Sequence, residues 1–265
     1  MSSNDSLPGA AISDAIRRAH ARGNPALVAY LTAGYPSKVK FTEHLRAVAQ
    51  GADVVEIGVP FTDPMADGIT IQRSSQAALA QGVSLRWILS ELTAMPKLAT
   101  PLLLMSYLNP LLAFGVDKLP QAAAKAGVSG FIVPDMPVDE SDLFKDALAA
   151  QGIALVQMVT PVTTPERLRH VVGASTGFVY AVTMTGVTGK NVAVPNEVMD
   201  YLDRVRAQSR VPVCAGFGIR SREQVKALRG HVDGVIVGSA LVELLERGGD
   251  PARWLAELRD VTASG

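Results

Sequence analysis

The sequence contains a single cysteine, Cys214, so no intrachain disulfide can form and no cysteine cluster can hold a metal. Net charge is absent as well, with 25 basic and 25 acidic residues. A balanced chain lacks the basic footprint of a nucleic-acid binder and has no electrostatic pull toward anionic membranes. Aromatic residues make up only 5%, so a hydrophobic fraction of 48% must be met by an aliphatic core. Long apolar runs are missing too. The most apolar stretch, Pro101 to Val116, is interrupted by Asn109 and Pro110 and is too short to span a bilayer. The polar start, Met1 to Ala11, has no basic segment followed by an apolar one and does not read as a signal peptide. These features predict a cytoplasmic protein of one domain spanning residues 1–265.

What the sequence does contain is alternation. Eight short apolar runs recur: Ala26–Thr32, Val54–Pro60, Leu102–Tyr107, Gly130–Asp135, Ala154–Thr160, Phe178–Thr183, Val211–Ala215 and Gly234–Gly238. Continuous apolar runs are expected of parallel strands covered on both faces. Amphipathic segments lie between them, among them Lys38–Gln50, Ser141–Ala150, Thr164–Val172, Glu197–Gln208 and Ser221–Arg229. Gly127, Gly152 and Gly230 fall where helices should stop. A further helix precedes the first strand (Ile12–Arg22) and another follows the last (Pro251–Arg259). Eight strand–helix units with right-handed crossovers predict an α/β fold, a (β/α)8 TIM barrel with an extra N-terminal helix. An open doubly wound sheet would carry a glycine-rich turn after the first strand; the turn here is Thr32-Ala33-Gly34-Tyr35-Pro36.

Active sites of such barrels lie at the C-terminal ends of the strands. None of the eight runs contains Lys, Arg or His, and the four histidines all fall in helices or at helix ends. This excludes a strand lysine for Schiff-base chemistry and a convergent histidine set for a metal. Carboxylates remain. Glu56 sits inside Val54-Val55-Glu56-Ile57-Gly58, where a lone acid is costly unless paired or protonated. It can be a buried structural acid, or a proton shuttle whose pKa desolvation raises toward neutrality. The following loop, Phe61 to Gly68, holds Asp63 and Asp67, and Asp135 ends the fourth run. Each of these three can equally be a turn residue. Glycines after the seventh run (Gly216, Gly218) and eighth (Gly238, then Ser239 opening a helix) lie where this fold binds phosphate, or they serve tight turns only. Thr185 to Asn191 is a small, polar, glycine-hinged loop able to fold over a ligand.

These residues together resemble the α subunits of tryptophan synthase. The similarity runs from Ala26 to Leu245. Its most specific piece is Glu56-Ile57-Gly58-Val59-Pro60-Phe61-Thr62-Asp63-Pro64-Met65-Ala66-Asp67-Gly68 with Ile71-Gln72. Supporting pieces are Tyr107-Leu108-Asn109-Pro110, Val133-Pro134-Asp135-Met136-Pro137, Gly186-Val187-Thr188-Gly189 and Gly216-Phe217-Gly218-Ile219. The resemblance implies retro-aldol cleavage of indole-3-glycerol phosphate to indole and glyceraldehyde 3-phosphate, with Glu56 and Asp67 catalytic. It implies that Tyr30, Met105, Tyr107 and Ile132 wall an indole pocket and that Tyr180 positions the substrate. Gly189, Phe217, Gly218, Gly238 and Ser239 would cradle the phosphate. Asp63, Pro64, Asn109 and Pro137 would face a β subunit in an αββα complex, where the β subunit holds pyridoxal phosphate. This chain itself would need neither metal nor organic cofactor. Two other roles share these residues: a stand-alone lyase releasing free indole, and a weakly active barrel that activates a β subunit. The chain departs from the family pattern at Thr62, often Ser; at Ile69, often Pro; and at Thr183-Met184, often a Ser-Arg type pair.

Overall fold

The computed structural model describes residues 7–183, 194–216 and 218–259. Eight parallel strands close into a barrel in sequence order: β1 (Ala26–Thr32), β2 (Val54–Gly58), β3 (Leu102–Met105), β4 (Val128–Ile132), β5 (Ala154–Val159), β6 (Val179–Val182), β7 (Val213–Gly216) and β8 (Gly234–Val237). Among the described residues the helices are α1 (Ala10–Ala21), α2 (Phe41–Gly51), α3 (Ile69–Ala80), α4 (Leu85–Ala94), α5 (Leu108–Phe114), α6 (Leu119–Lys125), α7 (Asp142–Ala149), α8 (Pro165–Ala174), α9 (Asn196–Gln208), α10 (Arg222–Leu228), α11 (Ser239–Glu246) and α12 (Pro251–Arg259). The expected (β/α)8 barrel with its extra N-terminal helix is the observed fold.

Two aliphatic layers hold it. Outward-facing strand residues such as Leu31, Val55, Ile57, Leu104 and Val235 pack beneath the helices. Inward-facing residues, among them Val28, Val54, Leu103, Val156, Phe178 and Cys214, fill the barrel with Ile12 and Ile16 of α1. Helix α1 therefore closes the N-terminal end. Ser13 donates to the Gly177 carbonyl at 2.6 Å, and the Gly9 amide donates to the Gly152 carbonyl at 3.0 Å. At this same end Asp53 accepts the Leu27 amide and Asp233 the Val213 amide, each backed by arginine: Arg22 and Arg259 at Asp53, Arg206 at Asp233.

Local signals set most boundaries. Thr164 caps α8 ahead of Pro165, and Ser221 with Gln224 forms a capping box on α10. The glycines expected to stop helices do so in left-handed backbone: Gly127 (φ 79°), Gly152 (φ 69°) and Gly230 (φ 94°). Several strand ends differ from expectation. The fourth strand stops at Ile132 rather than reaching Asp135, because Pro134 has no N–H to extend the ladder and Met136 turns back to the Val133 carbonyl. The seventh begins after Pro212, two residues later than expected, and the second ends at Gly58 rather than Pro60. Helices α3 and α4, between β2 and β3, had no counterpart among the sequence-derived segments.

Candidate active site

The register of β1 and β2 places Tyr30 opposite Glu56, and both side chains point into the barrel toward its C-terminal end. Glu56 is 1% exposed, and its Oε2 finds no hydrogen-bond partner among the described residues. Desolvation, followed by the charge of nearby Asp67, pushes its pKa up to about 8. The cost of burying a lone charge is thus avoided by holding the proton.

Asp67 comes from the loop between β2 and α3. Its pKa rises to about 6 through burial, opposed by a hydrogen bond from Tyr107. The Tyr107 hydroxyl lies 3.2 Å from Asp67 Oδ2 and accepts the Ala66 amide at 2.9 Å, so one phenol grips the loop at two points. Gln72, at the first turn of α3, donates to the Asp67 carbonyl at 2.9 Å. Phe61 stacks on Tyr107 with centroids 5.1 Å apart. Tyr30, Gly58, Phe61, Pro64, Asp67, Met105 and Tyr107 line one small cavity of about 10 Å³, room for a single water.

Two glycines make the site possible. A Cβ on Gly58 would collide with the Tyr30 ring, and one on Gly216 with the Tyr180 ring. Both tyrosines can therefore lie flat over neighbouring strands, with their hydroxyls toward the barrel mouth. Tyr180 is buried, and burial together with the charges of Glu56 and Asp67 drives its pKa up. Its hydroxyl stays protonated and able to donate. Ile132 is also buried inside the barrel.

The glycine turns gather at the same mouth. Gly218 has φ 83°, a left-handed conformation that side chains resist. Gly238 caps α11, and Ser239 is that helix's first residue, with Leu241 and Val242 donating back to the Gly238 carbonyl. The dipole of α11 favours an anion at this end of the helix. Gly189 and Phe217, also expected at the phosphate, lie outside the described residues.

Of the expected partner-facing residues, Asp63, Asn109 and Pro137 are exposed. Pro64 is buried and helps wall the cavity, so it shapes the turn rather than presenting surface. Asp135 accepts the Leu108 amide at 2.8 Å, so its side chain holds the start of α5 rather than closing its own turn. Phe61 and Gln72 are site residues to which sequence reasoning gave no role. Their signal was position only, within or next to the motif carrying both acids. Among the described residues no group of three or more His, Cys, Asp and Glu could hold a metal ion, and no helix is long and apolar enough to cross a membrane.

Two carboxyl groups with separated pKa values, buried phenols and a helix start, all at the C-terminal mouth of a closed (β/α)8 barrel, form an acid–base site suited to a small anion. Residues 16–262 match the family model of the tryptophan synthase alpha chain. The chain is 44% identical over 242 residues to the tryptophan synthase alpha chain of Nitratidesulfovibrio vulgaris strain DP4, covering 91% of this chain and 94% of that protein. It is 44% identical over 227 residues to the alpha chain of Carboxydothermus hydrogenoformans, covering 85% of each. Among solved structures, tryptophan synthase from M. tuberculosis in an open form with BRD0059 bound superposes with a TM-score of 0.84 at 35% identity, covering 94% of this chain and 96% of that one. The alpha subunit from Legionella pneumophila strain Paris superposes with a TM-score of 0.83 at 31% identity, covering 94% of this chain and 95% of that one. The chain belongs to the tryptophan synthase alpha chain family.

Proposed function

We propose that this chain cleaves indole-3-glycerol phosphate into indole and glyceraldehyde 3-phosphate, with Glu56 moving the protons and Asp67 holding the indole nitrogen. The observation that carries this reading is the pair of carboxyls at the barrel mouth, one protonated near neutrality and the other ionised. Neutral Glu56 gives its proton to C3 of the indole ring. Positive charge spreads to the ring nitrogen, whose N–H donates to ionised Asp67. The Glu56 carboxylate then takes the proton of the glycerol hydroxyl on the carbon bonded to C3. The freed electron pair forms the aldehyde C=O, the C–C bond breaks, and its electrons restore the aromatic ring. Glu56 ends protonated, as it began.

Tyr180 orients the glycerol portion beside Glu56, while Tyr30, Met105, Tyr107 and Ile132 wall the indole. The phosphate rests on Gly218, Gly238 and Ser239. The reaction draws on this chain's own acids and needs no cofactor here. Indole passes to a β subunit carrying pyridoxal phosphate, within an αββα assembly of the cytoplasm. Asp63, Asn109 and Pro137 supply surface for that partner, and the Pro64 turn holds Asp63 in place. We read residues 1–265 as one domain, supported by the single closed barrel.

An indole-release assay tests this. The wild type releases indole, faster when a cognate β subunit is added, and Glu56→Gln is slower by a factor on the order of 10² to 10⁴. Equal rates for the two proteins would remove the mechanism, and no response to the β subunit would remove the partnership.

A further inference from the structure

Glu243, on the solvent side of α11, lies outside the reacting group, yet it receives hydrogen bonds from two other segments that carry the site. Arg220 grips it with both terminal nitrogens, Nη1 to Oε2 at 2.9 Å and Nη2 to Oε1 at 2.8 Å. Thr70 donates its hydroxyl to Oε1 at 3.1 Å. Each donor sits close in sequence to a functional position. Arg220 is two residues past Gly218 in the turn after β7, and Thr70 is three residues past Asp67 in the first turn of α3. Glu243 itself lies one helical turn beyond Gly238 and Ser239. A second bond runs parallel to the first, from Arg73 to Glu246 at 2.6 Å.

We propose that Glu243 is a positioning residue for the cleavage reaction: a single carboxylate that fixes the Asp67 loop, the Gly218 turn and the start of α11 relative to one another. This rests on the roles given above to Asp67 and to the glycine turns. A bidentate arginine–carboxylate pair is planar and resists rotation, so the Gly218 turn and α11 move as one unit. Thr70 adds the α3 start to that unit. Asp67 is then held from three directions: Tyr107 at its carboxylate, Gln72 at its carbonyl, and Thr70 through the helix that follows. The hold at Thr70 has a specific need. Ile69 is the first residue of α3, where a proline would preset φ, and Ile69 is 84% exposed and packs on little. The bond to Glu243 anchors that helix start at its second residue, ahead of the bonds that Gln72, Arg73 and Ser74 make further along.

The hub makes a different prediction at each arm. In indole release from indole-3-glycerol phosphate, Thr70→Val lowers kcat roughly 10-fold or more, since a displacement near 1 Å at a reacting group costs up to about 10²-fold. KM and inhibition by glycerol 3-phosphate stay within twofold, because the phosphate end is untouched. Thr70→Ser, which keeps the hydroxyl, restores kcat. Arg220→Met raises KM and weakens glycerol 3-phosphate several-fold. Glu243→Gln does both. Wild-type kcat and KM in Thr70→Val and Glu243→Gln would overturn the proposal. So would a loss of activity that Thr70→Ser fails to restore, or one accounted for by the fraction of protein unfolded in the assay. If Glu243→Gln does not fold, the Thr70 pair decides alone. Asp67→Asn run alongside separates the two readings: wild-type activity there refutes the role of Asp67, whatever the hub variants do.

Discussion

Glu56 and Asp67 carry the same functional group and differ in what surrounds them. Burial strips water from Glu56, and its Oε2 has no hydrogen-bond partner among the described residues, so it holds its proton up to about pH 8. Asp67 is half-buried, and the Tyr107 hydroxyl favours its ionised form and keeps its pKa near 6. The proposed mechanism needs the first protonated and the second ionised. Activity should therefore rise with pH as Asp67 loses its proton and fall as Glu56 loses its own. A profile of kcat/KM against pH should be bell-shaped, with arms near 6 and 8. Tyr107→Phe removes the bond that favours ionised Asp67 and should move the acidic arm upward while leaving the alkaline arm in place. An acidic arm unmoved by that change would show that Asp67 does not set it. The two acids were visible in the sequence as charged residues in or beside an apolar strand. Their separate roles were not, because Asp63 and Asp67 offer identical turn chemistry until one is found at Tyr107 and the other in solvent.

At the scale of elements, strands were the legible part. Both faces of each are covered, by helices outside and by the barrel filling inside, so each reads as an uninterrupted apolar run. The ends were less legible, since Pro134 and Pro212 end ladders within runs that stay apolar by composition. Helix α3 was missed because it opens Ile-Thr-Ile and carries Ser74 and Ser75 on its buried side, where Ser74 bonds to Thr32 at 2.6 Å. A helix that buries hydroxyls shows little apolar periodicity. The network at Glu243 was beyond reach for another reason: Thr70 and Glu243 are 173 residues apart, and only barrel closure brings α3 beside α11. Helix α1, by contrast, was legible but its task was not. Its Ile12 is fully buried in the barrel filling, far from any reacting group. Ile12→Ala should cost about 2–4 kcal/mol in urea denaturation through the cavity it leaves. A much smaller loss would show that α1 merely rests on the barrel.

Across the whole molecule the two ends of the barrel divide the work. The N-terminal end is sealed by α1 and by the carboxylates of Asp53 and Asp233 with their arginines. The C-terminal end gathers the acids, the phenols and the glycine turns, and beside them the exposed Asp63, Asn109 and Pro137. The protonated acid inside the barrel ties these ends together through the folding equilibrium. An unfolded Glu56 releases its proton near its ordinary value of 4.5, whereas the folded one keeps it to about 8. Folding in that interval takes up a proton from solvent, so each rise of one pH unit weakens the native state by up to about 1.4 kcal/mol. Asp67 acts in the same direction between 3.8 and about 6. Urea denaturation at pH 6 and pH 8 should show the wild type losing stability over that range and Glu56→Gln losing clearly less; equal losses would show that Glu56 is not the group responsible. These two acids thus favour the fold more in mild acid than at the pH where the proposed chemistry runs best, because the proton held ready for the substrate is one that the unfolded chain would already have given up.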